Sequence, residues 1–328
     1  MNAKHNFCLY VVAFFLLLTG APTAMAVTVE ELANICEAME SAIVDISLEY
    51  EWLTIPHQTF EEAEAEMGVE VLMVKDGRRM FKLSAAGLLF NRDPNDPNSP
   101  PLPDRFLLEE SATIITKKGN SWDNVIKQSY NGKIGKYLNI GGWPHQSMTA
   151  IISKERPSIS TILTPLGFSV LRFRMSEVTN RLPLSDNLRD YKELVHLDDT
   201  VKNINGFNTV RADFLQEYTK QVCMRVYFSV DQGYTPVRYE YMSGGETEIV
   251  VGVIDVHSLE KVAEGLWFPS SGTISSPDDE EINVYQAISK IVVNQGLTEK
   301  DFNIDFPPGT KVQNEITGEE YVVKPESE

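Results

Sequence analysis

The segment Val222-Cys223-Met224-Arg225-Val226-Tyr227-Phe228-Ser229-Val230-Asp231 decides the fold. Successive side chains of an extended chain point to opposite sides, so Val222, Met224, Val226, Phe228 and Val230 share one apolar face. Thr235-Pro236-Val237-Arg238-Tyr239-Glu240 resumes the pattern after a short break, and residues 236–242 form the next strand. Residues 247–257, 265–274 and 281–294 continue the series, separated by turn-formers such as Ser243-Gly244-Gly245. From about residue 200 onward the chain therefore reads as consecutive strands. In the last of them Ile282, Val284 and Ile288 lie on one face, and Tyr285, Ala287, Ile291 and Val293 on the other. That distribution predicts that both faces are covered or that one lines an apolar cavity.

Upstream, Thr28-Val29-Glu30-Glu31 has the capping-box spacing that satisfies free N–H groups at a helix start. Leu32, Ile35, Cys36, Met39, Ala42 and Ile43 then recur at helical spacing. At Val44 the period changes to two: Val44, Ile46, Leu48, Tyr50 and Trp52 alternate with Asp45, Ser47, Glu49 and Glu51. An amphipathic helix thus runs directly into a long half-buried strand. Further strands are predicted at 69–75, 78–84, 112–118 and 122–130, the first two as a hairpin about Asp76-Gly77. Five prolines between Phe90 and Phe106 mark a surface loop. Residues 145–196 are expected to carry the remaining helices, one of them at 185–196, and residues 85–195 suggest no role of their own. No repeat of fixed period is present.

Residues 1–26 read as a cleavable signal peptide: a short basic start, a wholly apolar run from Phe7 to Leu18, then Ala24-Met25-Ala26. The apolar run is too short to cross about 30 Å of hydrocarbon as a helix. Val27 rather than a cysteine follows the cleavage point, so a periplasmic or secreted protein without a lipid anchor or transmembrane segment is expected. The remainder, 27–328, reads as a single domain with a Pro-rich loop at 90–106 and a C-terminal extension at 297–328, its last residues frayed. It carries 28 basic and 47 acidic residues, a net charge of −19. Such a balance excludes nucleic acid as partner and opposes docking on anionic lipid surfaces. Cys36 and Cys223 either pair, as export permits, or are two buried thiols.

Motif chemistry is sparse. His57, His145, His196 and His257 have no metal-ligand spacing, and no CxxC, phosphate loop or GxSxG occurs. Asp93, Asn95, Asp96 and Asn98 imitate a calcium loop, but Pro97 occupies a ligand position and the turn glycine is missing. The runs Glu61-Glu62-Ala63-Glu64-Ala65-Glu66 and Asp278-Asp279-Glu280-Glu281 read as solvated. No catalytic residue, cofactor or metal is expected, and an enzyme such as an esterase ranks last.

Leu197 to Ile274 resembles the periplasmic lipoprotein-carrier superfamily, the LolA/LolB/LppX-like half-barrels. Thr200-Val201-Lys202-Asn203-Ile204-Asn205-Gly206-Phe207-Asn208-Thr209-Val210 is similar to the strand–Gly–strand segment of that family. Phe228-Ser229-Val230-Asp231 with Thr235-Pro236-Val237-Arg238-Tyr239-Glu240 resembles its central hairpin, and Gly265-Leu266-Trp267-Phe268-Pro269 a later strand. The opening helix and strand at 28–54 fit, and the ending Asp301 to Thr310 looks like a tail seen on secreted half-barrels. The resemblance implies an α+β fold: a strongly curved antiparallel sheet, an incomplete barrel, with helices packed in its concave side around an apolar cavity. It further implies binding of lipid or lipoprotein acyl chains, or, on the same fold, of an envelope protein. Tyr50, Trp52, Val226, Phe228, Trp267 and Tyr285 are the candidate cavity residues.

Overall fold

The computed structural model describes residues 27–55, 73–87, 104–116, 120–141, 147–157, 184–243, 249–277 and 282–325, with positions 59, 61 and 118. The signal peptide, His57, His145, the Asp93–Asn98 stretch, nearly all of the Pro-rich loop, most of the Glu61–Glu66 run and the Asp278–Glu281 run lie outside them.

Helix α1 (Val29–Ala42) begins at Thr28, whose side chain accepts from the Glu31 N–H at 3.2 Å while Glu31 accepts from the Thr28 N–H at 2.8 Å. Asn294 closes its other end: the side-chain amide donates to the Ala42 carbonyl and accepts from the Val44 N–H. The chain then enters β1 (Asp45–Ile55). An antiparallel meander follows through β2 (Met73–Ala86), β3 (Arg105–Thr116), β4 (Ser121–Tyr130), β5 (Gly135–Gly141) and β6 (Ser147–Ser153). After a second helix, α2 (Leu184–Asp190), and a 3-10 turn at Lys192–Leu194, a second meander begins. It runs through β7 (Val195–Ile204), β8 (Phe207–Leu215), β9 (Val222–Ser229), β10 (Thr235–Met242), β11 (Val250–Ala263), β12 (Leu266–Ser275) and β13 (Ile282–Ala287).

The two meanders join where β13 pairs antiparallel with β1, setting Trp52 opposite Tyr285. The short β14 (Val292–Val293) adds to the start of β1. The last hairpin, β15 (Lys311–Asn314) and β16 (Glu319–Val322), docks on the far side of β6 through the single parallel pairing among the described strands. The spatial order runs β16-β15-β6-β5-β4-β3-β2-β1-β13-β12-β11-β10-β9-β8-β7, and β16 and β7 are not paired with each other. The fold is thus one large, unclosed, antiparallel-dominated sheet with two helices, and an incomplete barrel fits it. No described helix is long and apolar enough to cross a membrane.

Several expectations need correcting. Asp76-Gly77 does not turn the chain: the pairing of β2 with β3 steps from Lys75–Ile114 to Arg79–Ala112, so the dipeptide sits in a bulge of one continuous strand. Because β2 is flanked by β1 and β3, the extra residues are absorbed as an irregularity rather than a reversal. The strand placed at 112–118 starts at Arg105, and β6 occupies part of the region read as helical. The helix at 185–196 ends at Asp190, because the chain is already extended at Val195, where pairing with Phe214 begins. The strand at 281–294 is broken between β13 and β14, and Ile282 and Ile288 are 42% and 49% exposed, so only its Tyr285 face is covered.

Candidate functional site

Cross-strand register places the side chains of one face in rows. In an antiparallel pair, directly opposed residues point to the same side. One row runs Ala287, Tyr50, Phe81, Glu110, Ile126, Asn139 and Thr149 across β13, β1, β2, β3, β4, β5 and β6. The next runs Leu48, Leu83, Leu108, Gln128, Tyr137 and Ile151. On the other side of β1 the same face carries Tyr285, Gly272, Val256, Tyr239, Val226 and Ala212. This core face is aromatic and aliphatic from β8 to β3, and mixed polar from β3 to β6.

Helix α1 packs on its apolar part. Leu32, Ala33, Cys36 and Met39 belong to one buried cluster with Val226, Phe228, Tyr239 and Tyr285, and Thr235 of β10 lies 3.8 Å from the Met39 sulfur. Helix α2 joins the same cluster through Leu184 and Leu188. The helices are tied to each other by polar contacts. Arg189 reaches Asn34 at 2.7 Å and Glu37 at 2.5 Å, and the buried Glu40 carboxylate accepts from the backbone and hydroxyl of Ser185. Burial raises the Glu40 pKa to about 7, against the opposing pull of its Ser185 hydrogen bonds. Cys36 and Cys223 are both free, buried thiols; burial pushes the Cys36 thiol up, and Cys223 Sγ donates to the Phe214 carbonyl at 3.3 Å.

Of the candidate cavity residues, Tyr50, Trp52, Val226, Phe228 and Tyr285 all lie on the core face and are buried. Tyr50 stacks on Phe81 with centroids 4.8 Å apart and meets Tyr285 at 5.4 Å. Trp267 is different: its neighbours Leu266 and Phe268 point into the core, so Trp267 is half-buried on the back face. Phe268 holds the position expected of it, and Phe81, Phe106 and Tyr239 complete the aromatic lining without having been singled out. Alternation in 78–84 and 236–242 carried that signal for Phe81 and Tyr239.

Past Trp52 the core face opens. The Trp52 indole donates to Asn283 at 3.1 Å, and beyond that pair lies a groove of about 450 Å³ lined by Tyr241, Gly252, Ile254, Ile274 and Asn283. A second groove, about 440 Å³, lies at the other end of the sheet between Tyr137, Ile151, Lys311, Gln313 and Val322.

Between the aromatic rows and this second groove lies a polar patch. Arg79 sits over the Phe81 ring at 5.7 Å and approaches Glu110 at 3.9 Å. Burial raises the Tyr50 phenol well above its ordinary pKa, with nearby Tyr285 and Glu110 adding to the shift and Arg79 opposing it. Tyr137 is raised by burial and by the same Glu110. The Tyr50 hydroxyl, Gln128 Oε1 and Asn139 Oδ1 are buried and make no hydrogen bond among the described residues.

The back face has the opposite character. Asp198, Arg211, Asp213, Arg225, Glu240, Arg238 and Asp255 form an alternating ionic ladder across β7 to β11. No described group of His, Cys, Asp and Glu is arranged to hold a metal. His257 lies 3.3 Å from the Thr273 hydroxyl, a surface contact on β11 and β12.

No family model matches the chain, and no curated protein matches it. Among solved structures, a DUF1329 family protein from Desulfovibrio piger is similar, with 12% identity and a TM-score of 0.39, over 84% of this chain and 95% of that one. A domain assigned by inference to an outer membrane lipoprotein-sorting protein from Vibrio parahaemolyticus is similar, with 9% identity and a TM-score of 0.41, over 84% and 95%.

Proposed function

We propose that this chain is an exported, non-enzymatic binding protein that holds acyl chains of a lipid or lipoprotein against the core face of an incomplete barrel. The carrying observation is that the aromatic core face runs without interruption from beneath α1 to the open groove at Tyr241, Ile254 and Ile274. A chain entering there passes Ser275, Ser276 and Asn283 at the groove and then meets the aromatic and aliphatic side chains of the core face. Each buried CH₂ contributes about 0.8 kcal/mol, so 14 carbons supply on the order of 10 kcal/mol before binding costs. In this reading the face is the concave one, and the pair α1–α2 is its removable cover. The two helices hold each other by polar contacts and the sheet by apolar ones, so they leave together. Export places the protein in the periplasm or medium.

Protein made by export and sprayed natively should carry lipid mass that is lost on organic extraction. Bare protein in every preparation, at the mass of the chain alone, contradicts the proposal.

A second reading, an envelope protein-interaction module, is favoured by one observation. Tyr50, Phe81, Tyr239, Phe268 and Tyr285 already fill the centre of the described core at no more than 3% exposure. Stoichiometric capture of one envelope protein without lipid would select that reading. Hydrolysis of a generic ester panel is not expected under either.

A further inference from the structure

We propose that the polar patch at Arg79, Glu110, Gln128, Tyr137 and Asn139 is a head-group site that selects an amphiphile with a neutral, hydroxyl-rich head, a glycerol or hexose ester rather than a free carboxylate or a phosphate. This rests on the acyl-binding reading above and specifies which amphiphile that site takes.

The argument starts from unfilled hydrogen-bonding capacity. Buried polar groups in folded proteins are almost always paired, and an exception calls for a water, an ion or a ligand. Here three groups on one face, the Tyr50 hydroxyl (its residue 1% exposed), Gln128 Oε1 and Asn139 Oδ1, are buried without a hydrogen bond among the described residues. Register sets Gln128 directly opposite Tyr137, and Asn139 opposite Ile126, which itself opposes Glu110. Strands lie about 4.8 Å apart, so the patch from Arg79 on β2 to Asn139 on β5 spans about 14 Å, and Tyr50 on β1 lies one strand further, beside Phe81.

Charge selects among heads. Among the described residues, the guanidinium within the patch, Arg79, is already faced by Glu110 at 3.9 Å, and the one bordering it, Arg156, is engaged by the Tyr130 ring at 5.5 Å, so neither is left free to hold an anion. Glu110 also holds the Tyr137 phenol towards its neutral form, and an incoming carboxylate or phosphate would meet the same field. The open groups are oxygens of two amides and a phenol; amide oxygens accept, so a head bearing several O–H donors complements them. The tail has its place beside the head, because Phe81 and Tyr50 occupy the same row as Glu110.

The test uses the mature full chain, delipidated, titrated at pH 8 with 1-monolauroylglycerol and, separately, with laurate, read by calorimetry. The proposal expects the glycerol ester to bind at least about tenfold more tightly. In the double variant Gln128→Leu/Asn139→Leu that preference should collapse while laurate affinity stays within about twofold. Tyr50→Phe, which removes only the hydroxyl and keeps the ring stack, should reduce the preference severalfold in a protein that melts like the parent. Equal affinities in the parent, or a preference unchanged in the variants, would overturn the head-group site and leave the acyl-binding reading standing. Absence of binding by both amphiphiles would overturn the two together.

Discussion

The sheet has two regions, and its apolar side changes between them. From β8 through β13 to β1 and β2 the core face is apolar, covered by α1 and α2, while the back face carries the ionic ladder. In the wing made by β5, β6 and β15 the order is reversed. There Leu138, Ala150 and Val312 point to the back and are covered by Ile304, with Phe306 and Val323 packed alongside, from the C-terminal tail. The core side of the wing carries Tyr137, Asn139 and Thr149. A continuous hydrogen-bonded ladder therefore supports two separate cores, one on each side, and the crossover falls where the polar patch sits. The tail is fastened at both ends of its path. Asp45 accepts from the N–H groups of Gln295, Gly296 and Leu297, and Lys136 donates to Asn303 and the Ile304 carbonyl. Phe302 lies buried with Arg105 above its ring at 5.4 Å.

The comparison breaks most visibly at Phe228. Phe228→Ala, at a fully buried site of the main core, should cost about 3–5 kcal/mol in equilibrium urea unfolding and lower protection across β8 to β13. Ile304→Ala should cost about 2–4 kcal/mol, with lost hydrogen-exchange protection confined to β5, β6 and β15. Loss spread evenly over the sheet would show one core rather than two.

Glu40 sharpens the comparison through pH, since it belongs to the helix cover alone. Its folded pKa, about 7, lies above the ordinary carboxylate value of 4.5, so the folded state holds the proton more tightly than the unfolded state. The associated stability is full below about pH 4.5 and is lost as pH rises through 7, on the order of 3 kcal/mol across the window. Glu40→Gln should flatten that segment of the pH–stability curve; an unchanged slope assigns the dependence elsewhere. Smallest of all, Trp267→Ala should cost under about 1.5 kcal/mol, because the ring is half-buried on the back face. A cost equal to that of Phe228→Ala would place Trp267 in the core.

The main core was legible because its strands alternate cleanly. Val44 to Trp52 puts every apolar residue on one side and Val222 to Val230 puts all but Cys223 and Tyr227 there, and five of the six proposed cavity residues share that side in the structure. The wing was not legible for a physical reason. Its strands are short, and in Ser147-Met148-Thr149-Ala150-Ile151-Ile152-Ser153 apolar residues fall on both sides, because the tail covers one side and the groove borders the other. No local pattern announces that residues 304 and 306 will cover residues 138 and 150. Trp267 misled because aromatic identity outweighed its register between Leu266 and Phe268. The polar patch carries no motif at all: Arg79, Glu110, Gln128 and Asn139 come from four different strands and meet only through pairing.

The account turns on whether the core face takes up an acyl chain. Delipidated mature protein titrated with a fluorescent fatty acid should show saturable uptake near one equivalent, displaced by unlabelled lipid and accompanied by reduced hydrogen-exchange protection in α1 and α2. Linear, non-saturating fluorescence with unchanged protection of both helices would contradict it.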